Sequence, residues 1–272
     1  MKATVLTPTH DHGPLLLRSV GCALAQTVED LEVLIVGDGV DEATREAVRE
    51  LERDERVRFF DNPKGPRRGE AYRHAVLIEH ARGEIVCSLA DDDLWLPEHV
   101  ESMYELLQDA DFAHAPPVMV YGDGSIRAWP VDLSLPNHRR RVLTTRGFFP
   151  LSSQAHTMAY YRRLPYGWRT TPDSIGTDTY MARQFLAQPD CRAVSSIRPT
   201  YLGFPHGQRA EWTIERRLAE LDEWRARLAT PAGREQLLLA VLEDTRARLL
   251  SIENSRTWRL RSRIRRVPLM VR

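Results

Sequence analysis

Short β-rich runs alternate with longer helical patterns over the first 100 residues or so, and this alternation most limits the folds open to the chain. The predicted strands are residues 3–8, 31–36, 56–61 and 84–90, and the predicted helices are residues 14–26, 42–53 and 67–82. Strands that alternate with helices favour a mostly parallel sheet with helices on both faces. We therefore expect an α/β fold.

Polar side chains follow each predicted strand at the point where the strand ends. They are Thr9, His10 and Asp11, then Asp38, then Asp61 and Asn62, and finally Asp91, Asp92 and Asp93. The carboxyl ends of parallel strands open at the same edge of a sheet, and ligands bind in the crevice there. The sequence therefore predicts a ligand site lined by acidic residues from successive strands.

The composition excludes several classes of protein. A chain of 272 residues with 42% hydrophobic residues can bury a large core, and 38 acidic residues balance 38 basic ones, which argues against a nucleic-acid partner. Its cysteines, Cys22, Cys87 and Cys191, are far apart and form no paired motif, so we expect neither disulfides nor a zinc site. No stretch approaches the 18 or so apolar residues of a membrane span. A cytoplasmic location is expected.

Three consecutive carboxylates, Asp91 to Asp93, follow the apolar run 84–90. Like charges at a half-buried strand end are destabilising unless a cation neutralises them. Mg²⁺ and Mn²⁺ prefer oxygen ligands and leave coordination positions for water and phosphates. The alternative is that the triplet caps the helix predicted to begin near Pro97 and points to water.

The second strand ends at Asp38, within a Gly-Asp-Gly turn. A carboxylate in this place accepts a hydrogen bond from a ribose hydroxyl or from the ring N–H of uracil, thymine or guanine. The alternative is a simple turn followed by a helix cap. Between the third strand and third helix, Lys64, Arg67, Arg68 and Arg73 lie near a helix N-terminus, where an anion is favoured.

Several of these pieces occur together in a family-specific order and spacing. They are Pro8-Thr9-His10-Asp11, Gln26-Thr27, Gly37-Asp38-Gly39-Val40, Ala81-Arg82-Gly83-Glu84, and Asp91-Asp92-Asp93 followed by Pro97. With this set, roughly the first 100 residues resemble the nucleotide-sugar-binding half of the family 2 inverting glycosyltransferases, which have the GT-A fold. Two positions depart from the family pattern, because Gly37 and Ala90 stand where the family has aspartates.

The resemblance implies roles for individual residues. It implies a UDP-, dTDP- or GDP-sugar donor and a divalent cofactor, Mn²⁺ or Mg²⁺. Asp38 is expected to contact the base and Asp91 the sugar or ribose, and Pro8, Thr9, Arg67 and Arg68 complete the expected donor-binding set. The expected metal ligands are Asp92, Asp93 and His206, with Asp93 assisting or holding its loop.

Glycosyl transfer also requires removal of a proton from the acceptor hydroxyl. Family members carry Glu-Asp at the start of a later helix, and Thr177-Asp178 stands in that place, so the resemblance makes Asp178 the general base of a single inverting displacement. Asp173 is the second candidate, and the alternative for Asp178 is a helix cap. The acceptor pocket is expected within 140–175, whose aromatics Phe148, Phe149, Tyr160, Tyr161, Tyr166 and Trp168 either stack on a sugar or pack in the core.

The predicted organisation is a GT-A domain over 1–210, with a nucleotide-sugar-binding half at 1–110 and an acceptor half at 111–210, followed by a helical extension at 211–272 with a break at Pro231 to Gly233. The last residues, 256–272, contain seven arginines and no acid, interleaved with apolar residues. This tail suits either an anionic membrane surface or docking on the chain itself. The expected acceptor is a hydroxyl of a saccharide, a lipid-linked compound or a natural product. The long C-terminal helices are also compatible with a homodimer.

Two other functions remain as alternatives. Gly37, Ala90 and Thr177 leave room for a degenerate relative that binds a nucleotide sugar or a partner without turnover. A sugar nucleotidyltransferase ranks behind, because that class needs a glycine-rich phosphate loop after the first strand and "TPTHDHGP" contains one glycine.

Overall fold

The computed structural model describes residues 1–129, 131–144, 149–255 and 258. Its strands are β1 (Ala3–Thr9), β2 (Leu31–Gly37), β3 (Val57–Phe60), β4 (Ile85–Ser88), β5 (Leu94–Trp95), β6 (Phe112–His114), β7 (Val118–Val120), β8 (Ile126–Ala128), β9 (Gln154–Thr157), β10 (Ala193–Ser195) and β11 (Tyr201–Gly203). Its α-helices are α1 (Gly13–Leu24), α2 (Glu42–Leu51), α3 (Glu70–His80), α4 (His99–Leu106), α5 (Pro136–Thr144), α6 (Met158–Tyr161), α7 (Thr177–Leu186), α8 (Ile214–Leu228) and α9 (Pro231–Asn254).

The main sheet has seven strands in the order β10-β6-β9-β4-β1-β2-β3. Parallel pairing joins β4 to β1, β1 to β2 and β2 to β3, and only β9 runs antiparallel to its neighbours within the described residues. The predicted α/β fold with a mostly parallel sheet is confirmed. Because β1 lies between β2 and β4, the loops that leave these three strands meet at one edge.

Both faces of the main sheet are covered, and the side-chain alternation of β2 shows how. Val33 and Ile35 belong to one apolar cluster together with Leu16 and Val20 of α1. Leu34 and Val36 point to the opposite face and belong to a second cluster, with residues of α3 and α7. A strand buried on both faces reads as a continuous apolar run, which explains why "LEVLIV" shows no polar alternation.

A second, smaller sheet has the order β5-β11-β7-β8. Its β5 begins directly after Asp93, so the acidic triplet lies in the loop between β4 and β5. Leu94 of β5 packs with Leu221 and Trp224 of α8 in a third apolar cluster. This cluster places the helical extension directly beside the strand-end edge of the main sheet.

The predicted break at Pro231 to Gly233 is wrong in position. These residues form the first turn of α9, and Thr230 caps it by accepting a hydrogen bond from the Gly233 amide at 3.0 Å. Proline is well tolerated in a first helical turn because its missing N–H has no helical partner there. Apart from Trp258, the basic tail 256–272 lies outside the described residues, as does Phe148. No helix in the described part of the chain is long and apolar enough to cross a membrane.

Candidate active site

Asp91 joins the end of β4 to the loop between β1 and α1. Its Oδ2 accepts a hydrogen bond from Thr9 Oγ1 at 2.7 Å, and its Oδ1 lies 2.8 Å from His12 Nδ1. Burial alone would raise the pKa of Asp91, but the hydrogen bond and charge of His12, together with the hydrogen bond from Thr9, hold that pKa below its usual value. Burial would lower the pKa of His12, yet Asp91 raises it to about 9. The two therefore form a half-buried ion pair at neutral pH.

Asp92 lies at the centre of several basic groups. Its Oδ2 accepts a hydrogen bond of 2.7 Å from Arg217 Nη2, which reaches it from α8. Burial, followed by the neighbouring charge of Asp91, raises the pKa of Asp92. His12, Asp92 and His206 each have a potential ligand atom within 4.8 Å of the other two, so these residues fit a divalent ion. His12 would have to lose its proton first, which makes metal affinity at this group depend on pH.

Asp93 points away from that group. Its Oδ2 accepts from Ser152 Oγ at 2.6 Å, and its Oδ1 accepts from the Phe204 amide at 3.0 Å. Burial, with the charge of Asp92, raises its pKa well above the usual value. Of the two roles expected from the sequence, Asp93 thus makes the contacts of a residue that holds its loop. Phe204 leads directly into the turn that carries His206.

Asp38 is buried and anchored to the basic segment before α3. Its Oδ1 accepts a hydrogen bond from the Gly65 amide at 2.7 Å, and its Oδ2 pairs with Lys64 Nζ. Gly69 allows this close approach: its φ is 60°, and an added Cβ would lie 2.7 Å from Asp38 Cγ. The segment therefore folds around Asp38. Pro8 and Thr9 of β1 complete this part of the edge. Pro8 lies opposite Val36 of β2.

The expected cations differ in their surroundings. Arg67 is exposed and its Nη1 lies 2.8 Å from Asp173. The Arg68 side chain is exposed, and its charge lowers the pKa of Asp178. Arg73 is 4% exposed, its Nη2 donates to the Arg68 carbonyl at 3.1 Å, and its guanidinium lies over the Trp168 ring.

Asp178 lies in the first turn of α7, within reach of the charges of Arg73 and Arg68. Burial raises its pKa, and the charges of Arg73 and Arg68 oppose that rise. The charge of Asp178 in turn raises the pKa of Asp93, so α7 and the strand-end carboxylates belong to one electrostatic unit. Asp173, the second candidate base, is instead 92% exposed and paired with Arg67.

Besides Arg217, the described part of the chain shows two features that the sequence analysis did not predict. His12 was not proposed as a ligand, although its place at the start of the first helix, beyond the end of β1, is a signal that would have included it. Thr177, which the family resemblance places at a glutamate position, has its hydroxyl 3.1 Å from a carboxylate oxygen of Glu70, a fully buried residue of α3. A carboxylate from another element therefore lies next to Thr177.

A family model described as "Glycosyl transferase family 2" matches residues 4–167, which is more than half of the chain. The chain belongs to glycosyl transferase family 2. The match includes β1 to β4 and the acidic triplet and ends before α7 and α8, so Asp178, His206 and Arg217 lie outside it.

Curated relatives of this family 2 chain match shorter segments. An uncharacterized glycosyltransferase of Nostoc is 30% identical over 114 residues, covering 41% of this chain and 34% of the relative. A chondroitin synthase of Pasteurella multocida is 30% identical over 159 residues, covering 53% of this chain and 16% of the relative. The succinoglycan biosynthesis protein ExoW of Rhizobium meliloti is 30% identical over 115 residues, covering 40% and 36%. The matches thus span about a third or less of these relatives.

Solved structures support the GT-A type of fold. Residues 1–349 of TarS from S. aureus, in complex with UDP-GlcNAc, match with a TM-score of 0.59 and 17% identity, covering 75% of this chain and 59% of that one. The mannosyltransferase PcManGT from Pyrobaculum calidifontis, in complex with GDP-Man and Mn²⁺, matches with a TM-score of 0.55 and 19% identity, covering 88% and 68%. At these identities the likeness establishes the fold alone.

The aromatics expected to line an acceptor pocket divide into two groups. Phe149, Tyr160, Tyr161 and Trp168 are buried and pack in the second apolar cluster. Tyr166 is 58% exposed and borders a cavity of about 460 Å³ along α7, which Arg169, Ile175, Tyr180 and Gln184 also line. The Arg169 guanidinium lies 3.7 Å from the centre of the Tyr166 ring and its Nε donates to the Tyr180 hydroxyl at 2.7 Å.

Proposed function

We propose that this family 2 chain is an inverting glycosyltransferase that moves a sugar from a nucleotide-diphosphate sugar to a hydroxyl of an acceptor. The observation that carries the proposal is the meeting of Asp38, Asp91 and Asp92 at one edge of the sheet, with Asp178 of α7 in the same electrostatic unit. The first group suits a nucleotide sugar, and Asp178 suits an acceptor hydroxyl.

The donor half would bind the nucleotide through the ends of β1, β2 and β4. Asp38 is assigned to the base or ribose and Asp91, fixed by Thr9 and His12, to the sugar or ribose. Arg67 and Arg68 at the start of α3 provide exposed positive charge for the diphosphate. The UDP-GlcNAc and GDP-Man bound by the two structural neighbours support a donor of this chemical class.

A divalent ion would be held by His12, Asp92 and His206, and two imidazoles beside one carboxylate suit Mn²⁺ better than Mg²⁺. When bound, it supplies positive charge where the departing diphosphate becomes more negative. The Mn²⁺ bound to PcManGT supports this assignment. Asp93 supports the group indirectly, because it holds the Phe204 amide next to the His206 turn.

Asp178 is assigned as the general base. It takes the proton of the acceptor hydroxyl while that oxygen forms a bond to the anomeric carbon and the bond from that carbon to the diphosphate oxygen breaks. A single displacement of this kind inverts the anomeric configuration. Burial raises the pKa of Asp178, which makes its carboxylate a stronger base, and the charges of Arg73 and Arg68 limit that rise.

The acceptor hydroxyl is assigned to the first turn of α7, beside Asp178, and the Tyr166 ring and Arg169, which border a cavity that Asp178 does not line, are assigned to outlying parts of the acceptor. An aromatic face beside a guanidinium suits a sugar ring with polar substituents. A saccharide acceptor is also supported by the names of relatives such as the chondroitin synthase and the succinoglycan protein. Lipid-linked and natural-product acceptors present the same hydroxyl chemistry.

A donor assay tests the proposal. UDP-, dTDP- and GDP-hexoses are incubated with the chain and Mn²⁺, with and without saccharide acceptors, and release of the nucleoside diphosphate is measured. We expect release from one nucleotide class, reduced about 10²- to 10⁴-fold by Asp178→Asn. A larger loss in Asp173→Asn would move the base to that residue.

The competing function is a chain that binds nucleotide sugars without turnover, and Gly37 and Ala90 are the residues that favour it. The same assay separates the two functions. Binding of a nucleotide sugar, with no release above that of the Asp178→Asn variant for any donor or acceptor tried, would establish the non-catalytic function and overturn the catalytic one.

A further inference from the structure

Arg217 is a charged residue buried at the heart of the candidate site, and it comes from outside the segment that the family model matches. Its side chain is 6% exposed and that of its partner Asp92 is 14% exposed. The 2.7 Å hydrogen bond between them joins residues 125 positions apart. None of the roles implied by the family resemblance falls on this residue.

The fold fixes the Arg217 guanidinium in place. Thr213 caps α8 by accepting a hydrogen bond from the Arg216 amide, so Arg217 lies in the first turn of the helix. Leu221 and Trp224, one and two turns further on, pack in the third apolar cluster. A helix anchored in this way holds Arg217 against Asp92 rather than letting it move between surface positions.

The charge balance at this edge of the sheet differs from that of a site made of carboxylates alone. Ala90 stands where the family has a first aspartate, which removes one negative charge. Arg217 adds a positive charge that does not dissociate, because a guanidinium stays protonated at any ordinary pH. Both differences make the edge more favourable for a diphosphate before any metal ion binds.

We propose that Arg217 is a fixed cation of the donor site, which favours the diphosphate of the nucleotide sugar whether or not a divalent ion is present. The proposal rests on the proposed function, since it concerns the same donor. It makes α8 part of the donor site. The proposal also gives the Arg217–Asp92 ion pair a function beyond stability, because a buried ion pair adds little to stability compared with well-packed apolar residues.

Calorimetry in the presence of a chelator tests this role without any turnover. UDP, dTDP and GDP are titrated into the chain with EDTA, and each nucleotide that binds is compared with its monophosphate. We expect the wild type to prefer the diphosphate. Arg217→Met should lower this preference by about ten- to a hundredfold, as expected for one unit charge at short range in a protein. Arg217→Lys should retain part of it.

Two variants serve as controls. Arg216→Met removes an exposed arginine that lies over the Trp212 ring, and its diphosphate preference should equal that of the wild type. If Arg217→Met does not fold, the double variant Asp92→Asn with Arg217→Met removes both buried charges and should lack the preference as well.

The outcomes separate this proposal from the proposed function. Binding of a diphosphate by the wild type, with the same preference over the monophosphate in the Arg217 variants, would overturn the role of Arg217 alone. Equal binding of diphosphate and monophosphate by the wild type in EDTA would do the same. A wild type that binds none of the nucleotides, with or without Mn²⁺, would overturn the proposed function and this inference with it.

Discussion

Arg209 is the most completely buried arginine of the described residues, and its replacement by methionine has a predictable cost. It is 1% exposed, and its Nε and Nη2 donate to the two carboxylate oxygens of Glu220 at 2.5 and 2.6 Å. Its Nη2 also donates to the Val120 carbonyl at 3.1 Å. These contacts tie the turn that carries His206 to β7 and to α8.

Removal of one partner from a buried ion pair costs about 3–5 kcal/mol, because the remaining charge is left without compensation. Glu220 is 15% exposed, so water relieves part of this penalty, whereas the Val120 carbonyl loses a hydrogen bond that costs about 1 kcal/mol. We expect Arg209→Met to lower the free energy of unfolding by about 3–4 kcal/mol. For a chain of this size that corresponds to a fall of roughly 6–15 °C in Tm.

Thermal unfolding followed by circular dichroism measures this loss. Arg216→Met is the matched control, since it removes an exposed arginine of the neighbouring helix, and its Tm should stay within about 2 °C of the wild type. The double variant Arg209→Met with Glu220→Gln should be less destabilised than Arg209→Met alone. A Tm for Arg209→Met within about 2 °C of the wild type would refute the view that this ion pair anchors α8.

Two predictions concern pH. Burial lowers the pKa of His156 to about 4, so its contribution to stability is complete above the unfolded-state pKa of about 6.5 and is lost as pH falls towards 4. Between pH 7 and pH 5, His156→Phe should therefore lose about 2 kcal/mol less stability than the wild type in urea titrations, and equal losses would contradict this. For catalysis, Asp178 must be ionised, and burial raises its pKa against the opposing charges of Arg73 and Arg68. The rate of nucleoside diphosphate release should fall as pH drops through this raised pKa, and Arg68→Met should shift that fall to higher pH; an unshifted profile would exclude Arg68 as an influence on the base.

The pattern of the first 100 residues was sufficient to predict the central part of the fold. The predicted strands 3–8 and 31–36 differ from β1 and β2 by only one residue each. The agreement is close because nearly all residues of these strands are buried, so that their sequences are mostly apolar runs that are easily recognised. The meeting of Asp38 with the acidic triplet followed from parallel strand direction alone.

The missing parts depend on contacts between distant residues. β5 has two residues and is defined by its pairing with β11, so no local sequence pattern predicts it. The partner of Asp92 lies on α8, whose docking depends on the third apolar cluster. The sequence also could not show which aromatic side chains are buried. Tyr161 and Tyr166 are both tyrosines of the same segment, and of these two only Tyr166 is exposed.

Binding of a nucleotide diphosphate at the strand-end carboxylates can be measured by calorimetric titration with UDP, dTDP and GDP in the presence of Mn²⁺. We expect at least one nucleotide to bind the wild type and the Asp123→Asn control, whose aspartate is exposed in the turn between β7 and β8. Asp38→Asn and Asp91→Asn should each weaken that binding at least about tenfold, the effect expected from loss of a charged hydrogen bond. If the wild type binds none of the three, or if neither substitution at the sheet edge changes the binding, the strand-end carboxylates are not the nucleotide-sugar site.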